Sequence, residues 1–291
     1  MANETTRTSA NDYSMVEELL AAAVLPFFYG HNNVRHLVRY ESIAGAPTMA
    51  KGFPIAGELA AQALSEGVDA AYTQYSTGTV RSTASAVGVV LGITDLLESS
   101  DIFSGLGHYA EQAGMALANK VTTDILALNA GFSNVTGTTT ADLTEANILN
   151  GVQLLAAGGI PGPYNGCLHP IQWYDLAGSV GSFVNPAGTT GANSVAETNT
   201  WGAAPAFGGG IEHLYGVNWS INSNVPSMAA GADRAGVVLN PMYGIGFVEK
   251  WGARVETQRD ASALLSEIVV TACYGVTELR DAAGVTIQTD L

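Results

Sequence analysis

A chain of 291 residues, 47% hydrophobic and only 13% charged, can bury one large core or two modest ones with about half the charged fraction usual in soluble domains. Its 26 acidic against 11 basic residues, a formal net charge of −15, argue against a tight, sequence-independent grip on nucleic acid, which rests on Lys and Arg neutralising phosphates. An acidic wall can still enclose DNA, because a container confines its contents without adhering to them.

Cys167 and Cys273 are too few and too far apart for a disulfide framework or a clustered zinc site, and are expected as buried small hydrophobes in a reducing compartment. The polar residues 1–11 lack the basic-then-apolar order of a signal peptide, so cytoplasmic synthesis is expected. The apolar runs 19–28 and 87–97 are interrupted by Pro26 and Asp95 and fall short of the ~20 residues of a membrane span. Neither a membrane nor a cofactor is expected as a partner.

Residues 15–28 read as a short helix on a terminal arm, with Glu17 and Glu18 in its first turn and its stop at Pro26. Residues 34–43 mix β-branched and aromatic side chains with Arg35, Arg39 and Glu41, as in a strand with a charged face. Gly45, Pro47, Gly52 and Pro54 then predict irregular chain, residues 58–66 a helix ending at Gly67, and residues 72–83 a second strand. Two strands separated by roughly thirty residues make an excursion longer than an ordinary hairpin loop. A strand follows over 87–93.

Residues 101–130 carry the strongest helical pattern, with Ile102, Leu106, Tyr109, Ala113, Leu117, Val121, Ile125 and Leu128 at steps of three and four. After a Gly/Thr-rich break at 132–140, a second helix over 144–157 stops at Gly158 and Gly159. Residues 164–169 predict a short strand, Pro170 opens a helix through Leu176, and 178–210 has loop composition. From 146 to 210 the only charged side chains are Asp175 and Glu197, so a free monomer would be prone to associate. Strands follow at 217–222, 236–240, 248–258, 262–276 and 285–289, and the layout is α+β.

No catalytic chemistry emerges. His31, His36, His108, His169 and His213 stand in no metal-ligand spacing, and no serine occupies a nucleophile elbow. Residues 45–52 only superficially resemble a phosphate loop, since Ala50 replaces a glycine and Gly52 follows Lys51. Acid pairs such as Glu17 with Glu18, or Asp260 with Glu267, read as solvated faces. No catalytic, cofactor-binding or metal residue is expected, and a hydrolase using His169 or His213 is the weakest alternative.

Several segments taken in order resemble the major capsid proteins of tailed bacteriophages. These are Phe53–Pro54 through Asp69, Tyr75 to Val80 and Ile93 to Glu98 before the long helix, then Thr144 to Leu155, Cys167–Leu168–His169–Pro170–Ile171–Gln172–Trp173–Tyr174–Asp175–Leu176, and Ser266 to Val276. The resemblance implies an α+β fold of the Hong Kong 97 type. It implies an N-terminal arm at 1–36, an extended loop at 37–83, a peripheral domain with its spine helix at 84–145, an axial domain at 146–249 and peripheral C-terminal strands at 250–291. It further implies a virion subunit made in the host cytoplasm and self-associating as pentamers and hexamers, with a separate scaffolding protein, a portal, and packaged DNA enclosed without sequence-specific binding. An encapsulin-type nanocompartment shell, which shares the fold, is the alternative. In a loop that overlaps a neighbour, Arg35, Arg39, Glu41 and Arg81 are expected to meet opposite charges across the interface, and Lys51 is placed near the loop tip without an assigned role.

Overall fold

The structure, a computed structural model, describes residues 34–57, 77–100, 106–179, 212–228 and 233–290, with isolated positions between 22 and 28 and between 61 and 75. A 3₁₀ turn Arg35–Leu37 leads into β1 (Val38–Ser42), β2 (Ala50–Ala56), β3 (Thr77–Thr83) and β4 (Ser85–Thr94). Helices α1 (Asp95–Ser100) and α2 (Leu106–Leu126), strand β5 (Val135–Gly137), α3 (Glu145–Ala157), β6 (Tyr164–Leu168) and α4 (Pro170–Ser179) follow. The remainder is β7 (Glu212–Leu214), β8 (Val217–Ile221), β9 (Ser227–Met228), β10 (Asp233–Leu239), β11 (Ile245–Asp260), β12 (Leu265–Glu278) and β13 (Gly284–Thr289).

One layer is a four-stranded sheet in the order β1-β11-β12-β4. Alternation along β4 sends Val87, Val89, Leu91 and Ile93 to the face that packs with Ala113, Leu117, Val121 and Ile125 of α2. The two long strands pair from Ile245↔Glu278 to Asp260↔Leu265, with register shifts on either side of Trp251. Three rings cross this sheet in sequence: Tyr40 stacks on Phe247 at 6.0 Å, and Phe247 on Tyr274 at 5.5 Å. The Tyr274 hydroxyl then donates to Asp124 on α2 at 2.7 Å, and Asp124 also accepts from Lys120 at 2.6 Å. Burial, with that carboxylate beside it, pushes the Tyr274 phenol far above its usual range. The arm reaches the same core. Ala22, Val24, Leu25, Pro26 and Phe28 are helical and Val24 and Phe28 buried, and a Cβ at Gly114 would stand 2.9 Å from the Val24 carbonyl oxygen, so only glycine lets the arm cross α2 there.

The second layer is a sheet in the order β5-β13-β10-β6-β8-β7, with β9 on β10. It packs with α3 and α4 through Ile148, Leu155, Trp173, Trp219, Val238 and Ile287. The start of α4 is fixed as a capping box in which histidine replaces the usual hydroxyl residue. His169 Nδ1 accepts from the Ile171 N–H at 3.3 Å, and Gln172 Oε1 accepts from the His169 N–H at 3.0 Å. The Gln172 amide, fully buried, donates to the Thr289 hydroxyl at 2.8 Å and to the carbonyls of Arg234 and Ile287, tying α4 to β10 and β13.

Several local expectations change. Residues 45–54, read as irregular, contain β2, which pairs with β3 from Ala50↔Thr83 to Ala56↔Thr77. In a two-stranded ribbon each strand has one free edge, so Pro54, which lacks an N–H, costs no ladder bond when its nitrogen faces outward. Within the helix expected at 58–66, residues 61–64 are non-helical and Leu64 is exposed; a single short turn with nothing to pack on does not hold. The long helix gives way to a 3₁₀ turn over Ala127–Gly131 and is preceded by α1, while 101–105 lie outside the described residues. The loop at 178–210 lies outside them too, except for its first two positions, which end α4. The segment 250–291, expected as strands of one domain, divides between the two sheets, because β13 bonds to β10 and β5.

Replacing Gln172 by Leu keeps its volume but removes the acceptor of the His169 N–H and the donor to three oxygens, two of these bonds being buried, and should cost roughly 2–4 kcal/mol, read as a lowered urea midpoint with unchanged slope. His169 gives a pH test. Burial, and then the Arg234 charge, hold its imidazole below its ordinary value of 6.5. The unfolded chain therefore binds this proton first as pH falls. The stability that neutral His169 contributes is complete above about pH 6.5 and is lost as pH drops towards the folded value. His169→Asn, whose side-chain oxygen can cap without titrating, should lose less stability than the native chain between pH 7.5 and 5.5 in paired urea titrations.

Candidate inter-subunit surface

The five residues singled out by charge lie around one corner of the four-stranded sheet, where β1 meets the base of the β2–β3 ribbon. Arg39 and Glu41 are two apart on β1 and share a face; their side chains pair at 3.3 Å, and Lys51 of β2 lies 3.9 Å from the same carboxylate. The Arg39 guanidinium also covers the Phe53 ring at 5.5 Å. Arg35 pairs with Glu249 at 3.4 Å and sits over the Tyr40 ring at 5.0 Å. Burial, with Glu249 alongside, raises the Tyr40 phenol. Arg35, Arg39, Glu41 and Lys51 thus have partners within the chain, and such surface pairs contribute at most about 1 kcal/mol each. Arg81, opposite Gly52 on the ribbon, is exposed and makes no ion pair among the described residues.

Lys51 is near the base of the ribbon and not its tip: it is the second residue of β2, opposite Ser82. The expectation failed because β2 itself went unrecognised, which moved the apparent start of the loop. The lysine that shapes this region is Lys250. Its ammonium donates to the carbonyls of Ile43 at 3.3 Å, Thr48 at 3.4 Å and Ala46, gathering the turn between β1 and β2. The ribbon base is held further by Ala84 N–H to Met49 O at 2.7 Å, and a Cβ at Gly275 would collide with the Thr83 carbonyl.

Beside this corner lies a cleft of about 280 Å³ lined by Arg39, Phe53, Ile160, Met242, Tyr243 and Arg280, among others. Met242 and Tyr243 are about half exposed on the turn between β10 and β11. Asn240 Oδ1 accepts the Met242 N–H at 2.8 Å, an Asx turn that Asn-Pro announces in the sequence. That these turn residues line a cleft with Arg280 was not legible. A second exposed apolar group ends the long hairpin. Asp260 accepts from the Ser262 and Ala263 N–H groups, Leu264 takes φ 51° and is exposed, as is Leu96, the Leu264 carbonyl accepts from the Asp95 N–H at 3.0 Å, and Arg259 grips Asp95 with both guanidinium nitrogens at 2.5 and 2.6 Å.

His31 lies outside the described residues, and no group of three His, Cys, Asp or Glu side chains that could hold a metal forms among those described. Cys167 and Cys273 are free and buried, and burial pushes the Cys167 thiol up to about 12, too high for a thiolate nucleophile. No helix among the described residues is long and apolar enough to cross a membrane.

No family model and no curated protein matches the chain. Solved structures do. The capsid of the native GTA particle matches with a TM-score of 0.63 at 12% identity, covering 90% of this chain and 91% of that one. The mature capsid of bacteriophage PhiM1 matches at 0.60 and 13% identity over 88% and 86%, and a virus-like particle from Pyrococcus furiosus at 0.60 and 10% over 94% and 99%. At such identities the fold is what is shared: the chain has the α+β capsid fold that the sequence led us to expect.

The corner offers a test of its own. Lys250→Met keeps the aliphatic stem and removes three donated hydrogen bonds. It should lower stability by about 1–3 kcal/mol and open residues 43–49 to limited proteolysis, with the first cut mapped by mass spectrometry.

Proposed function

We propose that this chain is the major capsid subunit of a tailed bacteriophage, a non-catalytic building block that associates as pentamers and hexamers into an icosahedral shell around double-stranded DNA. The observation that carries the reading is that the fold likeness to capsid subunits runs nearly the full length of both chains. Composition supports it. The low charge from 146 to 210 favours association, and the net charge of −15 suits a wall that DNA does not stick to. In this reading residues 1–36 form the arm, 37–83 the loop that overlaps a neighbour, 84–145 and most of 250–291 the peripheral domain, and 146–249 the axial domain. Assembly takes place in the host cytoplasm with a separate scaffolding protein and a portal. Arg35, Arg39, Glu41 and Lys51 form a charged rim of the overlap, and Arg81 is the cation of the ribbon that faces a neighbour.

The likeness to the Pyrococcus furiosus virus-like particle, complete over that chain, favours a second reading: an encapsulin-type shell around a protein cargo. Particles purified from the native source decide between the two by their contents, nuclease-protected DNA or a co-purifying protein.

Negative-stain microscopy of recombinant protein, with scaffold supplied, should show closed particles; a stable monomer at high concentration would refute the shell. Arg81→Glu should reduce particle yield while its circular dichroism melt stays within about 0.5 kcal/mol of the native chain, as for an exposed charge.

A further inference from the structure

The two outer strands of the four-stranded sheet are finished differently. A free edge offers unpaired N–H and C=O groups to any strand that reaches it, and short length, charge, Pro or a bulge blunts that hazard. β1 has five residues and carries Arg39 and Glu41. β4 has ten, with no charged residue and no Pro, and its ladder with β12 runs from Leu265↔Thr94 to Tyr274↔Ser85 without a register shift. Among the described residues no strand lies on its other side, and residues 85–93 make no backbone hydrogen bond outside the β12 ladder. Val90 is 65% exposed, and Val87, Val89 and Leu91, although packed against the core, stay partly exposed. The strand is also a near-palindrome. About Val90, Val89 mirrors Leu91, Gly88 mirrors Gly92, Val87 mirrors Ile93 and Ala86 mirrors Thr94. In an antiparallel pair centred on Val90 each mirrored couple stands directly opposite, on the same face of the sheet. Core-facing side chains then meet their own kind, the glycines meet each other, and no charge is set against a like charge.

We infer that β4 pairs antiparallel with β4 of a second copy about a two-fold axis at Val90, joining the two sheets into one. The contact is isologous, so a single self-complementary surface serves both copies. Residues 86–94 of each copy together form about eight to ten backbone hydrogen bonds. Val87, Val89 and Leu91, which the single chain leaves partly exposed, come against Ile93, Leu91 and Val89 of the second copy. The pairing goes beyond the shell reading and does not need it: it makes a dimer by itself, and in a closed shell it occupies a two-fold axis.

Val90→Cys tests the axis. Val90 is exposed and both native cysteines are buried, so oxidation of the purified chain should give a disulfide-linked homodimer on a non-reducing gel. Ala86→Cys alone, whose opposite position is Thr94, measures random collision; mixed with Thr94→Cys it should give the heterodimer, which fixes the register. A Val90→Cys yield no higher than that of Ala86→Cys alone, in free chain or in particles, overturns the pairing, and closed particles in that case leave the shell intact. Crosslinked dimers that never close into particles overturn the shell and keep the pairing. Independently, Val90→Lys and Val90→Glu each set like charges opposite one another at the axis and should weaken self-association in sedimentation about tenfold. Their urea midpoints should match the native chain, as for an exposed position. Mixing the two should restore the dimer as a Lys–Glu heterodimer. Undiminished association of Val90→Lys, or no recovery on mixing, overturns the pairing.

Discussion

The antiparallel pairing of β11 with β12 organises everything else in the molecule. β1 is parallel to β11 and β4 antiparallel to β12, so neither outer strand of the first sheet has a partner without the central pair. Both long strands also connect the layers: β10 of the second sheet runs through the Asn240–Gly244 turn into β11, and β12 runs through the 3₁₀ turn Asp281–Ala283 into β13. Lys250 and Gly275, which seat the ribbon, sit on these two strands. The ring ladder from Tyr40 through Phe247 to Tyr274 then fixes α2 to the same pair through Asp124. A central pair of this length lets the ribbon and the hairpin end be held without the core having to support each one separately.

Charge is used sparingly, and each lysine has a distinct setting. Lys120 pairs with Asp124 along α2, Lys250 gathers backbone carbonyls, and Lys51 rests near Glu41 with its side chain partly exposed. Arg35, Arg39 and Arg259 are paired with Glu249, Glu41 and Asp95.

Elements with strong periodicity were readable from residues alone. The steps of three and four in α2 and the β-branched run of β12 name their own structures, and His169-Pro170-Ile171-Gln172 gives a helix start with its Pro in the first position. Where the sequence misled, tertiary context had changed the cost of a residue. Pro54 and Gly52 argue against a strand only if both edges of that strand are used, and the Ala-Gln-Ala-Leu stretch at 61–64 argues for a helix only if something covers it. The short strands β5, β7 and β9 are too brief to leave a pattern. The surface was less legible than the fold. Arg35 and Glu249 are 214 residues apart, and the cleft draws on positions from 39 to 280, so residue type could nominate charged candidates but not their partners.

The register shifts around Trp251 matter beyond geometry. A long hairpin of alternating side chains can slip by two residues and still present the same faces, so alternation alone leaves several alignments close in energy. The irregularity between Glu249 and Arg254 removes that degeneracy, because a slipped β12 would lay regular backbone across the irregular stretch of β11 and lose ladder bonds there. It acts as a detent. In the closed shell proposed above, where one misaligned subunit would leave a flaw that its neighbours cannot correct, the alignment is set inside each molecule before any neighbour is met.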